Sequence, residues 1–332
     1  MRVSYDKMVQ EFERVLKKRG FTEEKAKLSA KLYADASRDG VYTHGLNRFT
    51  KFIDSIDKGC VNIQAEPVFR EKIGFLERYD GQKGPGNLNA YACMKRAIEL
   101  AKENTLGCVA LSNTNHWMRP GNYGLMAVEE NCIGILWTNT VPNMPPWGGR
   151  EARLGNNPIV LAIPHKGAPV LVDVAMSMFS YGKLESYARS GKELPVEGGY
   201  NKDQKLTKNA AEILETHQSI PIGYWKGSGL SLALDLIAAT LAGGRTSRMV
   251  GELPVETELS QVFFAIDLDS FPDKEKLLDN IDDTLQDMKT SAPVSPEHPV
   301  YYPGENMMKT REENMRQGVP VDETIWNRVL AM

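Results

Sequence analysis

A change of period along the chain narrows its fold more than any other feature. Over residues 1–75 apolar side chains return every three or four positions, the mark of helices that each bury one stripe. Met8, Val9, Phe12, Val15 and Leu16 form such a stripe behind Ser4, an N-cap residue, and it ends at Gly20. Thr22 with Glu23 and Glu24 opens a second helix that stops at Gly40. Thr43 is the N-cap expected for a third, with Leu46, Phe49, Ile53 and Ile56 on one face and Gly59 beyond its end. From Gly84 the pattern becomes helices alternating with short apolar runs. Helices are expected at 88–102, 123–130, 230–241 and 274–288, the last with Leu277, Leu278, Ile281, Leu285 and Met288 in register. Strands are expected at 108–111, 133–137, 159–163, 170–174 and 262–268, which gives α/β character. Segments 191–207 and 290–304, rich in Gly, Pro and polar residues, read as loops, and the tail from Glu305 is helical again.

The chain has 332 residues, room for about two domains at ~150 residues each. Because both ends are helical and the middle is mixed, one helical domain is expected to draw on both ends. Charge is nearly balanced, 40 Lys and Arg against 43 Asp and Glu. That leaves no field able to hold a polyphosphate by counterion release, so nucleic acid is not the expected partner and a small, anionic molecule is. No secretory apolar segment follows Met1, and the longest apolar run, 230–242, carries Asp235 and is too short for a membrane helix. The expectation is a cytoplasmic protein that does not engage a membrane. Cys60, Cys93, Cys108 and Cys132 are widely spaced, with no Cys-x-x-Cys pair, and read as inert thiols in a reducing compartment.

Histidine is scarce, so each of the five can be weighed. His44 would begin the third helix with Arg48 one turn on, on the face opposite Leu46. Such a pair suits a substrate with a carboxylate beside a carbonyl: Arg holds the carboxylate through two parallel hydrogen bonds while imidazole gives a proton to the carbonyl oxygen. The alternative is an ordinary solvated helix face. A helix N-terminus and Arg48 both disfavour imidazolium, so a donor at His44 needs a carboxylate nearby, from protein or substrate. Asp173, at the end of the apolar run 170–174, is one candidate, and a cap or loop role is the other reading. His116 follows the strand 108–111, where α/β proteins place functional loops, although a loop imidazole bonded to backbone would look the same. His165, His217 and His298 lie in polar or Pro-flanked loops and read as structural or exposed.

The chain contains neither a Gly-x-Gly-x-x-Gly fingerprint nor a phosphate loop of the Walker type. Gly227 and Gly229, opening an apolar helix beside Lys226, could present free amides to a phosphate or simply cap the helix. The pattern Tyr-x-x-x-Lys occurs twice, at Tyr79 and Tyr91, without a glycine motif, and is read as chance. No metal-ligand set is present: there is no His-Glu-x-x-His and no calcium loop.

Taken in order, four motifs resemble one known family. They are Val41-Tyr-Thr-His-Gly-Leu-Asn-Arg-Phe49, Gly155-Asn-Asn-Pro158, Val172-Asp173 with Met176-Ser-Met-Phe-Ser-Tyr-Gly182, and Gly223-Tyr-Trp-Lys-Gly-Ser-Gly229. The set, spread over nearly the whole length, is similar to the malate/L-lactate dehydrogenase family that lacks a Rossmann fold. The resemblance implies a non-Rossmann α/β fold with a helical domain from 1–75 and 290–332. It also implies an α/β substrate and dimer domain from 76–125 and 250–289, and a mixed α/β cofactor-binding domain over 126–249. It further implies a cytoplasmic homodimer that reduces a 2-oxo or 2,3-dioxo sugar acid with NADH, NADPH being the unresolved alternative. By that likeness His44 gives the proton to the C2 oxygen, Arg48 holds the C1 carboxylate, His116 orients the substrate oxygens and Asp173 lies near both site and cofactor. Cofactor contacts carried over fall on Ala168, Pro169, Val170, Leu171, Val172, Asp173, Val174 and Ala175, on Trp225 and Lys226, and on Gly304, Glu305 and Asn306. Two departures stand out. Many members have Ser-His-x-Gly where this chain has Asn115-His-Trp-Met118, and Gly-Thr-Asn-Pro where it has Gly-Asn-Asn-Pro158. The first implies a substrate pocket reshaped from a malate site.

Overall fold

The three N-terminal stripes become α1 (Tyr5–Lys17), α2 (Glu23–Arg38) and α3 (Leu46–Asp57). The computed structural model describes residues 1–332 apart from Pro296 and His298, so the reading of His298 lies outside the described residues. Ser4 and Thr22 accept the amides of Lys7 and Lys25, satisfying donors that a helix start leaves open. Phe12 stacks on Phe49 with ring centres 4.1 Å apart, and Met8, Leu16, Tyr33, Phe52 and Ile53 pack round them. The far end of the chain joins this core. β1 (Arg2–Val3) pairs antiparallel with β11 (Val319–Pro320), and Trp326 and Val329 of α12 (Glu323–Ala331) sit among the same residues.

Two expectations for this region are corrected. The third helix does not begin at Thr43: Tyr42–His44 form a 3-10 turn, and α3 starts at Leu46 behind Gly45. The Ser37 hydroxyl near the end of α2 accepts the Leu46 amide at 2.9 Å, so the cap comes from another helix. A side chain on Gly45 would overlap that hydroxyl. Nor are residues 1–75 all helical, because β2 (Val68–Ile73) forms a hairpin with β3 (Leu76–Asp80). Every residue of β2 is exposed, so no buried face imposes the alternation by which a strand is recognised.

The mixed region builds a single sheet. β4 (Leu106–Thr114), β5 (Cys132–Thr138), β6 (Ile159–Ile163), β7 (Val170–Val174) and β10 (Leu259–Asp267) join the hairpin in the order β2-β3-β4-β10-β5-β6-β7. Only β3 and β4 run parallel. Alternate residues of β4 serve opposite faces. Val109 and Leu111 pack on α4 (Gly86–Asn104) and α5 (Gly121–Glu129), and Cys108 and Ala110 share a core with Leu234, Ala238 and Ala242 of α8 (Trp225–Ala242). Strand direction reverses at nearly every neighbour, so this is not the parallel, doubly wound sheet on which dinucleotide fingerprints depend.

Between β7 and α8 the chain makes a small module with its own core of Leu184, Leu194, Ala210 and Ile213. It comprises α6 (Tyr181–Ser190), α7 (Ala210–Thr216) and the short pair β8 (Gly199–Tyr200) and β9 (Leu206–Thr207), the last two inside a stretch expected to be loop. After α9 (Ser247–Val250) and β10 come α10 (Lys274–Lys289) and α11 (Glu305–Gln317). The apolar register of α10 exists, but none of its residues is buried. Among the described residues no helix is long and apolar enough to cross a membrane. All four cysteines are free, and Cys93, Cys108 and Cys132 are buried.

Candidate active site

The turn before α3 and the loop after β4 bring His44 and His116 together, their rings near-parallel at 19° with centres 6.0 Å apart. Thr43 Oγ1 lies 3.1 Å from His44 Nδ1. The Met118 amide donates to His116 Nδ1 at 3.0 Å. An amide only donates, so Nδ1 of His116 is bare and the neutral ring carries its proton on Nε2. Burial, then the nearby Arg48 and Arg119 guanidiniums, push the pKa of His44 down to about 4. Burial, Arg48 and His44 hold that of His116 well below the usual range. Near neutral pH the pair is therefore uncharged beside a fixed cation. This is not the solvated helix face that spacing alone allowed, since both rings are packed against protein.

Arg48, on the first turn of α3, is half-buried, with Glu256 Oε2 3.8 Å from its Nη2. The Val141 amide donates to Glu256 Oε1 at 3.2 Å, which fixes that carboxylate. Asp173, at the end of β7, keeps solvent access while protein crowds round it. The crowding raises its pKa, opposed by Arg119 and by the Gly121 amide, which donates to Oδ2 at 3.0 Å. The charged neighbours that set the proton affinity of His44 are Arg48 and Arg119. Asp173 faces Arg119 and Gly121 instead.

Arg119 and Asp39 were not singled out by sequence. The Arg119 side chain is 2% exposed, and its Nη1 lies 2.5 Å from Asp39 Oδ2. Asp39 also takes Arg38 Nε at 2.7 Å and both Nε and Nη2 of Arg311 at 2.8 and 2.7 Å. Burial opposes ionisation here, but Arg311, Arg38 and Arg119 keep the carboxyl well below its ordinary value. A lone arginine between Met118 and Pro120 was the only local sign, and its partner is 80 residues away.

The segments implied to hold a cofactor lie along one strip. The Leu171 amide donates to Pro303 O at 2.9 Å, so the edge strand β7 runs against the start of α11. Gly304, at φ +102, sits where a side chain would overlap Pro169 O. Beyond β7 the Ile222 amide donates to Met176 O at 2.8 Å, which brings the start of α8 alongside. There Trp225 is 67% exposed and Tyr224 packs on Trp147 with ring centres 4.8 Å apart. The phosphate reading of Gly227 and Gly229 is corrected. α8 begins at Trp225, and the amides of Lys226, Gly227 and Ser228 already donate to Gly223, Ile222 and Tyr224. Gly227 is needed because a β-carbon would strike the Ile222 carbonyl.

Asn156, where the resemblance has Thr, accepts the Thr140 hydroxyl at 3.0 Å and the Asn143 amide at 3.1 Å. Asn115, where it has Ser, donates to the carbonyls of Lys83 and Gly84 and fixes the His116 loop. His165 bonds Asp282 at 2.7 Å, and His217 ends α7 in a left-handed turn. Among the described residues no group of three or more His, Cys, Asp or Glu could hold a metal ion.

The model of the malate/L-lactate dehydrogenase family matches residues 3–330. The chain belongs to that family. Among curated members, a 2,3-diketo-L-gulonate reductase of Citrobacter koseri and one of Klebsiella pneumoniae are each 42% identical to it, with 100% of both chains covered. A solved member, the malate dehydrogenase of Entamoeba histolytica, superimposes with a TM-score of 0.94 at 28% identity, covering 100% of this chain and 96% of that one. The malate/L-lactate dehydrogenase fold accounts for a mixed sheet in an oxidoreductase without a glycine fingerprint. Its members act on 2-hydroxy and 2-oxo acids, and this chain is an oxidoreductase of that class.

Proposed function

We propose that the protein reduces 2,3-diketo-L-gulonate at C2 to 3-keto-L-gulonate, with NADH as reductant. One observation carries the chemistry: two half-buried, uncharged imidazoles stacked beside the Arg48 cation. The substrate is supported by relatives that match over their full length and bear that activity in their names. In the reading offered, Arg48 holds the C1 carboxylate by two hydrogen bonds. His44 gives a proton to the C2 oxygen as that carbon gains hydride, and His116, with its proton on Nε2, donates a hydrogen bond to a substrate oxygen.

The strip formed by Ala168–Ala175, Trp225, Lys226 and Gly304–Asn306 suits a nicotinamide cofactor, which supplies the hydride when bound. Glu305 Oε2 is buried there without a partner among the described residues, an acceptor open to a ribose hydroxyl. Lys289 grips the other oxygen at 2.7 Å and holds the carboxyl below its usual range, so the acceptor stays charged. A carboxylate in that position repels a ribose phosphate, which favours NADH over NADPH.

The same reading makes the protein a homodimer, supported by Leu230, Leu232, Leu236 and Ile237, which α8 leaves exposed. It also makes it cytoplasmic, supported by the free thiols of Cys93, Cys108 and Cys132, which burial holds protonated, Cys108 being pushed up to about 12.

The test follows NADH, and separately NADPH, by absorbance with 2,3-diketo-L-gulonate, oxaloacetate, pyruvate and sulfopyruvate. NADH oxidation is expected with the diketo acid, and His44→Ala is expected to lower kcat by about 10²–10⁴ while NADH affinity is kept. Turnover unchanged in that variant removes His44 as the acid, and preference for another acid overturns the substrate.

A further inference from the structure

The Arg119 guanidinium is buried and makes three contacts through its two terminal nitrogens. Nη1 reaches Asp39 Oδ2 and, at 3.1 Å, Asn122 Oδ1, while Nη2 lies 2.9 Å from Met307 Sδ on α11. Nε has no partner among the described residues. A buried cation is costly unless its charge is met, and here the only carboxylate bonded to Arg119 among the described residues is shared. Asp39 serves Arg38, Arg119 and Arg311. Arg38 has a second carboxylate in Asp35, at 2.8 Å, so Arg119 and Arg311 divide what remains of one negative charge. The cluster keeps surplus positive charge inside the protein.

That surplus faces the candidate active site. Gly121 lies between Arg119 and Asp173: a β-carbon placed on it would be 2.8 Å from Asp173 Oδ2 and 3.3 Å from Arg119 Nε. The bare glycine lets carboxylate and guanidinium approach across its backbone. We propose that Arg119 is a positioning residue of this site, fixing the turn that carries His116 and holding the Asp173 carboxylate charged from inside the protein. It touches no substrate. Through Asp39 and Met307 it also ties that turn to α2 and to α11, whose first residues belong to the cofactor strip. Lysine cannot replace it, because one ammonium cannot reach Asp39 and Met307 while leaving an N–H beside Gly121. The proposal rests on the reading of His44 and Asp173 as parts of a hydride-transfer site, so its test includes a readout without turnover.

The full-length protein, labelled at Asp and His, is titrated by NMR in the parent and in Arg119→Gln, with Asp173→Asn and His44→Gln used to assign the two signals. The groups facing His44 are Arg48, Arg119 and His116, and Arg119 with the Gly121 amide faces Asp173. Loss of the Arg119 charge therefore raises both titrations, by an expected shift of about one pH unit or more. With substrate, Arg119→Gln is expected to lower kcat about tenfold or more and to change KM for the acid less. The second variant, Arg119→Lys, keeps a buried cation and with it the fold. Its titrations are expected to stay near those of the parent while kcat falls several-fold. Asp39→Asn, which leaves Arg119 less neutralised, should move both signals the other way. Titration of Asp173 and His44 unchanged in Arg119→Gln overturns the proposal; if that variant does not fold, unchanged kcat in Arg119→Lys or unmoved signals in Asp39→Asn overturn it. If no acid is turned over at all, the titrations still decide the role of Arg119, and only the reductase reading fails.

Discussion

His44 has an unusual task for a proton donor, because its surroundings remove its proton. Burial comes first and Arg48 and Arg119 add to it, so the free protein protonates this ring only near pH 4. The carboxylate that the sequence argument required must then come with the substrate, whose C1 group would neutralise Arg48 on binding. The sign of the pH dependence follows. For kcat/KM, which reports the free enzyme, the protonated fraction of His44 falls about tenfold for each unit above ~5, so reduction should lose about a decade per unit up to ~8. In the oxidative direction the neutral ring is the base and is already formed at ~5, so kcat/KM should be flat over the same interval and fall only below it. A reduction profile that is flat from pH 5 to 8 would exclude His44 as the acid. At this scale the candidate groups were legible because each lies in a short motif. Their protonation was not, since it is set first by burial in the folded chain, to which Arg119, 75 positions from His44, adds for that ring.

Helix stripes and apolar runs were readable at the scale of elements wherever a buried face imposed a period. Strands 159–163 and 170–174 match β6 and β7 end for end. Boundaries failed where another element supplied the cap or the cover. The start of α3 depends on Ser37, and β2 has no covered face at all. Gly45 shows what this costs locally. Gly45→Ala would drive a methyl into the Ser37 hydroxyl, so the cap must move or break, and a loss of about 1–3 kcal/mol is expected. Urea unfolding monitored by circular dichroism measures it. An unchanged midpoint would mean that Ser37 yields freely and does not hold α3. Because His44 sits immediately before Gly45, the same variant should lower kcat as well.

Taken as a whole, the molecule leaves one long face of α8 uncovered. Leu230, Leu232, Leu236 and Ile237 are exposed on a helix whose opposite residues, Leu234, Ala238 and Ala242, pack on the sheet. Spaced by two, four and one residues, these side chains spread over the broad outward face of the helix with the exposed Ala233, the kind of apolar surface that soluble proteins seldom leave open. Arg78 of β3 donates to the carbonyls of Thr240 and Leu241, so the β2–β3 hairpin, with Phe69, Ile73 and Phe75 exposed, adjoins that surface. If the proposed homodimer forms through α8, light scattering gives twice the chain mass for the parent and a single chain mass for Leu236→Glu. A dimeric variant would move the interface elsewhere.

The helical stripes, the α/β alternation, the family and the side chains able to do oxo-acid chemistry were legible in the residues alone. These follow from spacing within a helical turn, a strand or a motif. Folding in three dimensions fixed which arginines share Asp39, where α3 begins, that Gly227 of α8 packs on the Ile222 carbonyl, and that both histidines are neutral. Those outcomes depend on burial and on charges brought together from residues up to 272 apart, as Arg311 is from Asp39. Electrostatic and steric contacts act through space, and no local window of sequence carries that information.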